Sequence, residues 1–159
     1  MNLTDKLNKE TIIFPLTSSS KPDAVQVLLN QLLNQKILTD TKKLFSFINE
    51  HEKIMNPATG RGIAFHYSIS TEVTDLTSIL GVSIKGIDYK SPDQQKVHFI
   101  LLILDTLDNP ILHRKLIKRF QKFINAINIK TKILECSSNI DVLDLIQTWE
   151  NDYLLKKSL

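Results

Sequence analysis

The sequence is short of several things, and each shortage excludes something. It has one cysteine, Cys136, in 159 residues. No disulfide can close within the chain, and a reducing compartment is expected. It has no long apolar run. The longest, "FILLIL" at 99 to 104, falls far below the ~20 residues of a membrane-spanning helix. The start, "MNLTDKLNKETIIF", lacks the apolar core of a secretory signal. A soluble, cytoplasmic protein is the expectation. Neither sign of charge is in large excess. Twenty basic against 17 acidic residues leave +3, too little to announce a nucleic-acid partner. Histidines are few, and no two are spaced as His-x-x-x-His, so no metal is expected and no cofactor is implied. Glycine is scarce as well. Of four in the chain, Gly60 and Gly62 lie two apart around Arg61.

What is present suffices for one globular domain over residues 1–159. A chain of this size with 42% apolar residues can bury a real core. "TIIFPL" (11 to 16) reads as a short β segment. Ser20, Pro22 and Asp23 make a helix start. Val25, Leu28, Leu29, Leu32 and Leu33 then recur at helical spacing to about Gln35. Thr39 or Asp40 opens a second helix through Lys53. "NPATGRG" (56 to 62) has the chemistry of a loop. Strands are expected near 63 to 67, 77 to 84 and 96 to 104, the last apolar enough to be covered on both faces. "LDNP" (107 to 110) is expected to open a helix running to about 126, with Pro110 in its first turn and Ile127 at the end of its apolar face. A last helix is expected from Ser138 or Asn139. This order argues an α/β layer sandwich.

The stretch "GRGIAFHYSIS" (60 to 70) holds the candidate chemistry. Glycine-rich turns let backbone N–H groups approach an anion, so Gly60, Arg61 and Gly62 are candidate phosphate binders. An imidazole is nucleophilic near neutral pH without a separate base, which singles out His66. His113 lies near the start of a helix whose N–H groups can meet an anion. His51 and His98 read as structural, and Trp149 with Tyr153 as a core pair. Arg114, Lys115, Lys118, Arg119 and Lys122 read as the solvated face of an amphipathic helix.

Several segments together resemble one family across nearly the whole chain. They are "IIFPLTSSSKPDAVQVLLNQLLNQKILTDTKKLFSFINEHEKI", "ATGRGIAFH", "SPDQQKVHFILLIL" and "HRKLIKRFQKFI". The sequence resembles the mannitol/fructose-type IIA domain of the bacterial phosphotransferase system. In length it is most like the stand-alone nitrogen-regulatory IIA proteins. The resemblance implies a mixed sheet of about five strands sandwiched between helices. It implies that a histidine accepts a phosphoryl group from a phosphorylated histidine-carrier protein. In the nitrogen-regulatory type it also implies that phosphorylation changes which target protein is bound.

The chain departs from the family where the acceptor stands. The family has Pro-His after its Gly-Ile-Ala-apolar step, whereas here Phe65 is followed directly by His66. A gapless register from Gly62 puts Tyr67 at the acceptor position. A register with one deletion puts His66 there, and is adopted because Asp93 and Val97 also sit one residue early. His66 is then the expected acceptor, partly exposed in a concave site, with His113 auxiliary and its ring nearby. The family's arginine before the glycine turn falls on His51. The alternative is a degenerate IIA-fold module that takes no phosphate and works by protein contact. A basic module for nucleic acid is the third and weakest possibility.

Overall fold

The computed structural model describes Met1 to Leu159. Strand β1 (Ile12–Ile13) leads into helices α1 (Lys21–Asn34) and α2 (Lys42–Glu52). Strands β2 (Ala58–Gly60), β3 (Ile63–Ser70), β4 (Thr77–Ile87) and β5 (Val97–Thr106) follow. Helices α3 (His113–Ile124), α4 (Ile129–Leu134) and α5 (Asn139–Lys157) complete the chain. The five strands form one mixed sheet in the order β1-β4-β5-β3-β2. The α/β sandwich expected from the sequence is the fold observed.

The apolar run decides the layering. Strand β5 sits at the centre of the sheet and alternates between its two faces. Ile100, Leu102 and Leu104 enter one core with Leu28, Leu29 and Leu32 of α1 and Ile48 of α2. Phe99, Leu101 and Ile103 enter the other with Leu116, Phe120 and Phe123 of α3 and Ile146 of α5. A half-solvated strand would alternate apolar and polar residues. This one must be apolar throughout because helices cover both faces.

Local signals hold at the starts of α1 and α5. The Ser20 Oγ accepts from the Asp23 N–H at 3.3 Å, and Pro22 lies in the first turn of α1. The Ser138 Oγ accepts from the Asp141 N–H at the start of α5. The expectations fail in several places. Residues 58 to 60, read as loop, form an edge strand, because a three-residue strand paired on one side carries no periodic signal. Helix α3 begins at His113 rather than Pro110. The Asn109 N–H donates to the Thr106 Oγ1, so "LDNP" makes a turn. The same helix stops at Ile124, and Asn128 adopts φ +64° before α4. Ile127 is therefore 86% exposed rather than part of an apolar face. Arg119 also departs from the solvated-face reading. It bonds the buried Glu150 at 3.1 Å and lies over the Tyr153 ring. Trp149 and Tyr153 stack with ring centroids 5.1 Å apart; both are half-buried, and Trp149 packs against the second core.

Candidate functional site

The short edge strand creates the site. β2 pairs with β3 only at Ala58↔Ala64 and Gly60↔Ile63, and the Phe65 N–H donates to the Pro57 carbonyl. Beyond Phe65 this edge of β3 is uncovered. A cleft of about 320 Å³ opens there between the last turn of α2, the bare edge and the first turns of α3. His51, Glu52, His66, Tyr67, His113 and Gln121 are among the residues lining it. Three of the four histidines in the chain thus meet at one place, although 15 and 47 residues separate them in sequence.

His66 lies on the floor and is sealed. It is 1% exposed, where partial exposure was expected. Its Nδ1 contacts the Glu52 carboxylate at the end of α2. Its Nε2 lies 2.9 Å from the Tyr89 hydroxyl. The reason is strand alternation. Neighbours on a strand point to opposite faces, and residue 66 shares the α2 face with Ala64, which is fully buried in that core. Glu52 also meets Lys21 at 3.4 Å. Burial opposes its ionisation, but the bond and charge of His66, then Lys21, outweigh it, so its carboxyl stays below the ordinary range. Burial and then the Glu52 charge push the Tyr89 phenol up, so it remains a neutral O–H. A carboxylate at Nδ1 calls for a proton there, and the Tyr89 O–H can donate to Nε2. Neither nitrogen then presents a free lone pair to the cleft.

Tyr67 and His113 occupy the other face. Their rings lie 4.1 Å apart between centroids, and the Tyr67 hydroxyl donates to the Pro110 carbonyl at 3.1 Å. His113 is the first residue of α3, and its Nδ1 sits 2.6 Å from the Asp105 Oδ2. Asp105 ends β5 and is fully buried. Burial and then the adjacent Asp105 push the Tyr67 phenol up, against Arg114. The His113 ring keeps part of its surface open, its side chain 18% exposed. The expected nearness of His66 and His113 is met only in that both line the cleft. Each is held in its own network on its own side of the sheet.

The glycine turn is elsewhere. Gly60, Arg61 and Gly62 all have positive φ, at +91°, +58° and +79°, as a tight hairpin between β2 and β3 requires. None of the three lines the cleft. The Arg61 N–H donates to the Asp93 Oδ2 at 2.7 Å. The donor expected for a phosphate thus already holds a carboxylate. His98, read as structural, packs beside this turn with its Nδ1 2.8 Å from the Ser83 carbonyl.

Sequence reasoning missed Glu52, Tyr89 and Asp105, and it discounted His51. Asp105 carried a usable signal, as a lone acid closing an apolar strand that is covered on both faces. Glu52 and Tyr89 carried none, because their partners come from distant elements. No group of three His, Cys, Asp or Glu side chains is placed to hold a metal ion. No helix is long and apolar enough to cross a membrane.

Comparison with known proteins accounts for this architecture. Residues 5–149 match the family model described as the phosphoenolpyruvate-dependent sugar phosphotransferase system, EIIA 2. The chain belongs to this family. The IIA chain is also similar to the fructose-specific EIIABC component of the phosphotransferase system of Bacillus subtilis (strain 168). The two are 25% identical over 146 residues, which cover 92% of this chain but 23% of that protein. It thus spans about a quarter of that relative's length. Among solved structures, nitrogen regulatory protein IIA-Ntr from Neisseria meningitidis superposes with a TM-score of 0.79. Identity is 17%, covering 91% of this chain and 98% of that one. IIA mannitol from Escherichia coli gives a TM-score of 0.75 at 15% identity, covering 89% and 99%. These likenesses are of fold.

Within this IIA fold β3 runs through His66 and Tyr67 as one continuous strand. β3 pairs with β5 residue for residue from Ile63↔Phe99 to Ser70↔Thr106, with no bulge. A residue lost inside β3 would turn every side chain after it to the other face. Tyr67, not His66, stands beside His113.

Proposed function

We propose that this IIA chain carries a phosphoryl group on an imidazole of the cleft, received from a phosphorylated histidine-carrier protein. The added charge changes which protein it binds, as expected of the nitrogen-regulatory type. One observation supports this above the others. The cleft holds an imidazole, His113, whose outer nitrogen has no protein partner and whose inner nitrogen rests on a buried carboxylate. Phosphoryl transfer needs an acceptor held in line and little covalent work from the protein. Among exposed apolar side chains, Met55 lines the cleft, Phe47 stacks on His51 of its wall, and Ile54 and Ile111 lie one and two residues in sequence from the lining residues Met55 and His113. They suit a docking surface that keeps water from the transfer. The phosphoryl group would add about two negative charges at the centre of that surface, so a target that binds the bare rim would be repelled. The role expected of His66 needs its ring to leave both Glu52 and Tyr89. Of Gly60, Arg61 and Gly62, the Arg61 N–H would bind phosphate only after leaving Asp93.

The experiment is incubation with a radiolabelled phospho-histidine-carrier protein. An acid-labile, base-stable label on the chain is expected. The captured target should bind the charged and uncharged forms with different affinity. The contact-only reading also has an observation in its favour, since His66 is sealed and a tyrosine stands at the mouth. It predicts no label, together with loss of target binding when Met55 and Ile111 are changed to serine.

A further inference from the structure

Two imidazoles in the cleft were candidates for the transfer, and their surroundings are opposite. His66 is 1% exposed, with one nitrogen against Glu52 and the other against the Tyr89 hydroxyl. His113 has an open edge. Its Nδ1 lies 2.6 Å from Asp105, whose carboxylate is fully buried and has no hydrogen-bond partner at Oδ1. A buried carboxylate without another cation needs a proton donor, and the nearest is the His113 ring. That bond places the ring proton on Nδ1 and leaves the lone pair on Nε2, which has no protein partner. Packing against Tyr67 at 4.1 Å limits how far the ring can rotate. His51, the third imidazole, is exposed and stacks on Phe47, with no carboxylate to choose its tautomer.

We propose that His113 Nε2, and not His66, accepts the phosphoryl group in this chain. This rests on the carrier reading above and assigns its acceptor. The co-reactant is an N-phosphorylated imidazole, that of the carrier protein, protonated on its other ring nitrogen. The His113 Nε2 lone pair attacks phosphorus. The phosphorus–nitrogen bond of the donor breaks, and its electron pair returns to the donor ring. Each ring keeps its own N–H, so no proton is gained or lost and nothing is oxidised. Asp105 does not touch the phosphoryl group. It is a positioning residue that keeps the His113 proton on Nδ1 and offsets the positive charge the ring develops as Nε2 bonds to phosphorus.

The test has two parts. In the unmodified chain, with histidine labelled in 15N, long-range nitrogen–proton correlations should show neutral His113 as the Nδ1–H tautomer. A proton on Nε2 of the neutral ring overturns the proposal. In the second part the full chain is charged by phospho-histidine-carrier protein and, separately, by phosphoramidate. The labelled peptide is then mapped at alkaline pH. The label should map to His113. It should survive His66→Gln and Tyr67→Phe, and disappear with His113→Gln. Asp105→Asn should slow labelling about tenfold or more, because the amide no longer selects the tautomer. Should a variant fail to fold by circular dichroism, the peptide mapped in the unmodified chain decides. Label on His66 overturns this assignment and leaves the carrier reading standing. Label spread equally over His51, His98 and His113 also overturns it. No label from either donor overturns both.

Discussion

Replacing His66 by alanine should unfold more than it disarms. The ring is buried with a carboxylate on one side and a phenol on the other. Its removal leaves Glu52 in a site where the side chain is 5% exposed, with only Lys21 at 3.4 Å to answer it. Breaking a buried pair by deleting one partner costs about 3–5 kcal/mol. The remaining lysine offsets part of that. Leaving the Tyr89 hydroxyl unpaired adds about 1–3 kcal/mol, unless water enters the vacated space. A net loss of about 4 kcal/mol is expected, a large share of the roughly 5–15 kcal/mol that a domain commonly has. For a chain of this length that lowers the melting temperature by about 8–16 °C. The assay is thermal and urea denaturation of His66→Ala, Glu52→Ala and the double variant. Coupling between the two sites should reach at least about 1 kcal/mol. A loss below 1 kcal/mol with no coupling would refute the reasoning, because the ring would then be free to turn toward the cleft.

Other expectations follow from the same geometry. Glu52 has its folded-state carboxyl below the ordinary value of 4.5. It therefore contributes stability above that value, and the contribution should fade as pH falls through the lowered one; acid titrations of stability should show a shallower limb in His66→Ala. Glu150 is 2% exposed and accepts from the Leu3 and Thr4 N–H groups and from Arg119, so Glu150→Ala should cost about 3 kcal/mol and loosen the amino terminus in hydrogen exchange. Gly86→Ala should cost about 2 kcal/mol or more, since φ is +78° and a Cβ would lie 2.7 Å from the Lys96 Cβ. Gly62→Ala should cost about half as much, because its Cβ would come no nearer than 3.4 Å to the Lys96 carbonyl; equal losses in urea melts would contradict this.

The sequence by itself determined the layers. A strand as apolar as 97 to 106 must be covered on both faces. The periodic leucines of 25 to 33 and the apolar side of 113 to 124 supplied the helices to do it. Ser20 and Ser138 marked helix starts, because caps act over three residues and leave a local trace. The order of these segments was enough to suggest the family to which residues 5–149 belong. The state of each candidate side chain was decided only by tertiary structure. Whether His66 opens to water or closes on Glu52 depends on the face its strand position selects, and a one-residue shift of register inverts that face. A single sequence with a departed motif supports either register. Continuous pairing from Ile63 to Ser70 sets the face that each of these side chains takes. The partners followed from the same cause. Glu52, Tyr89 and Asp105 reach the histidines from a helix end, a loop and a strand end. Their meeting comes from the packing of those elements around β3, which no local pattern in the chain records.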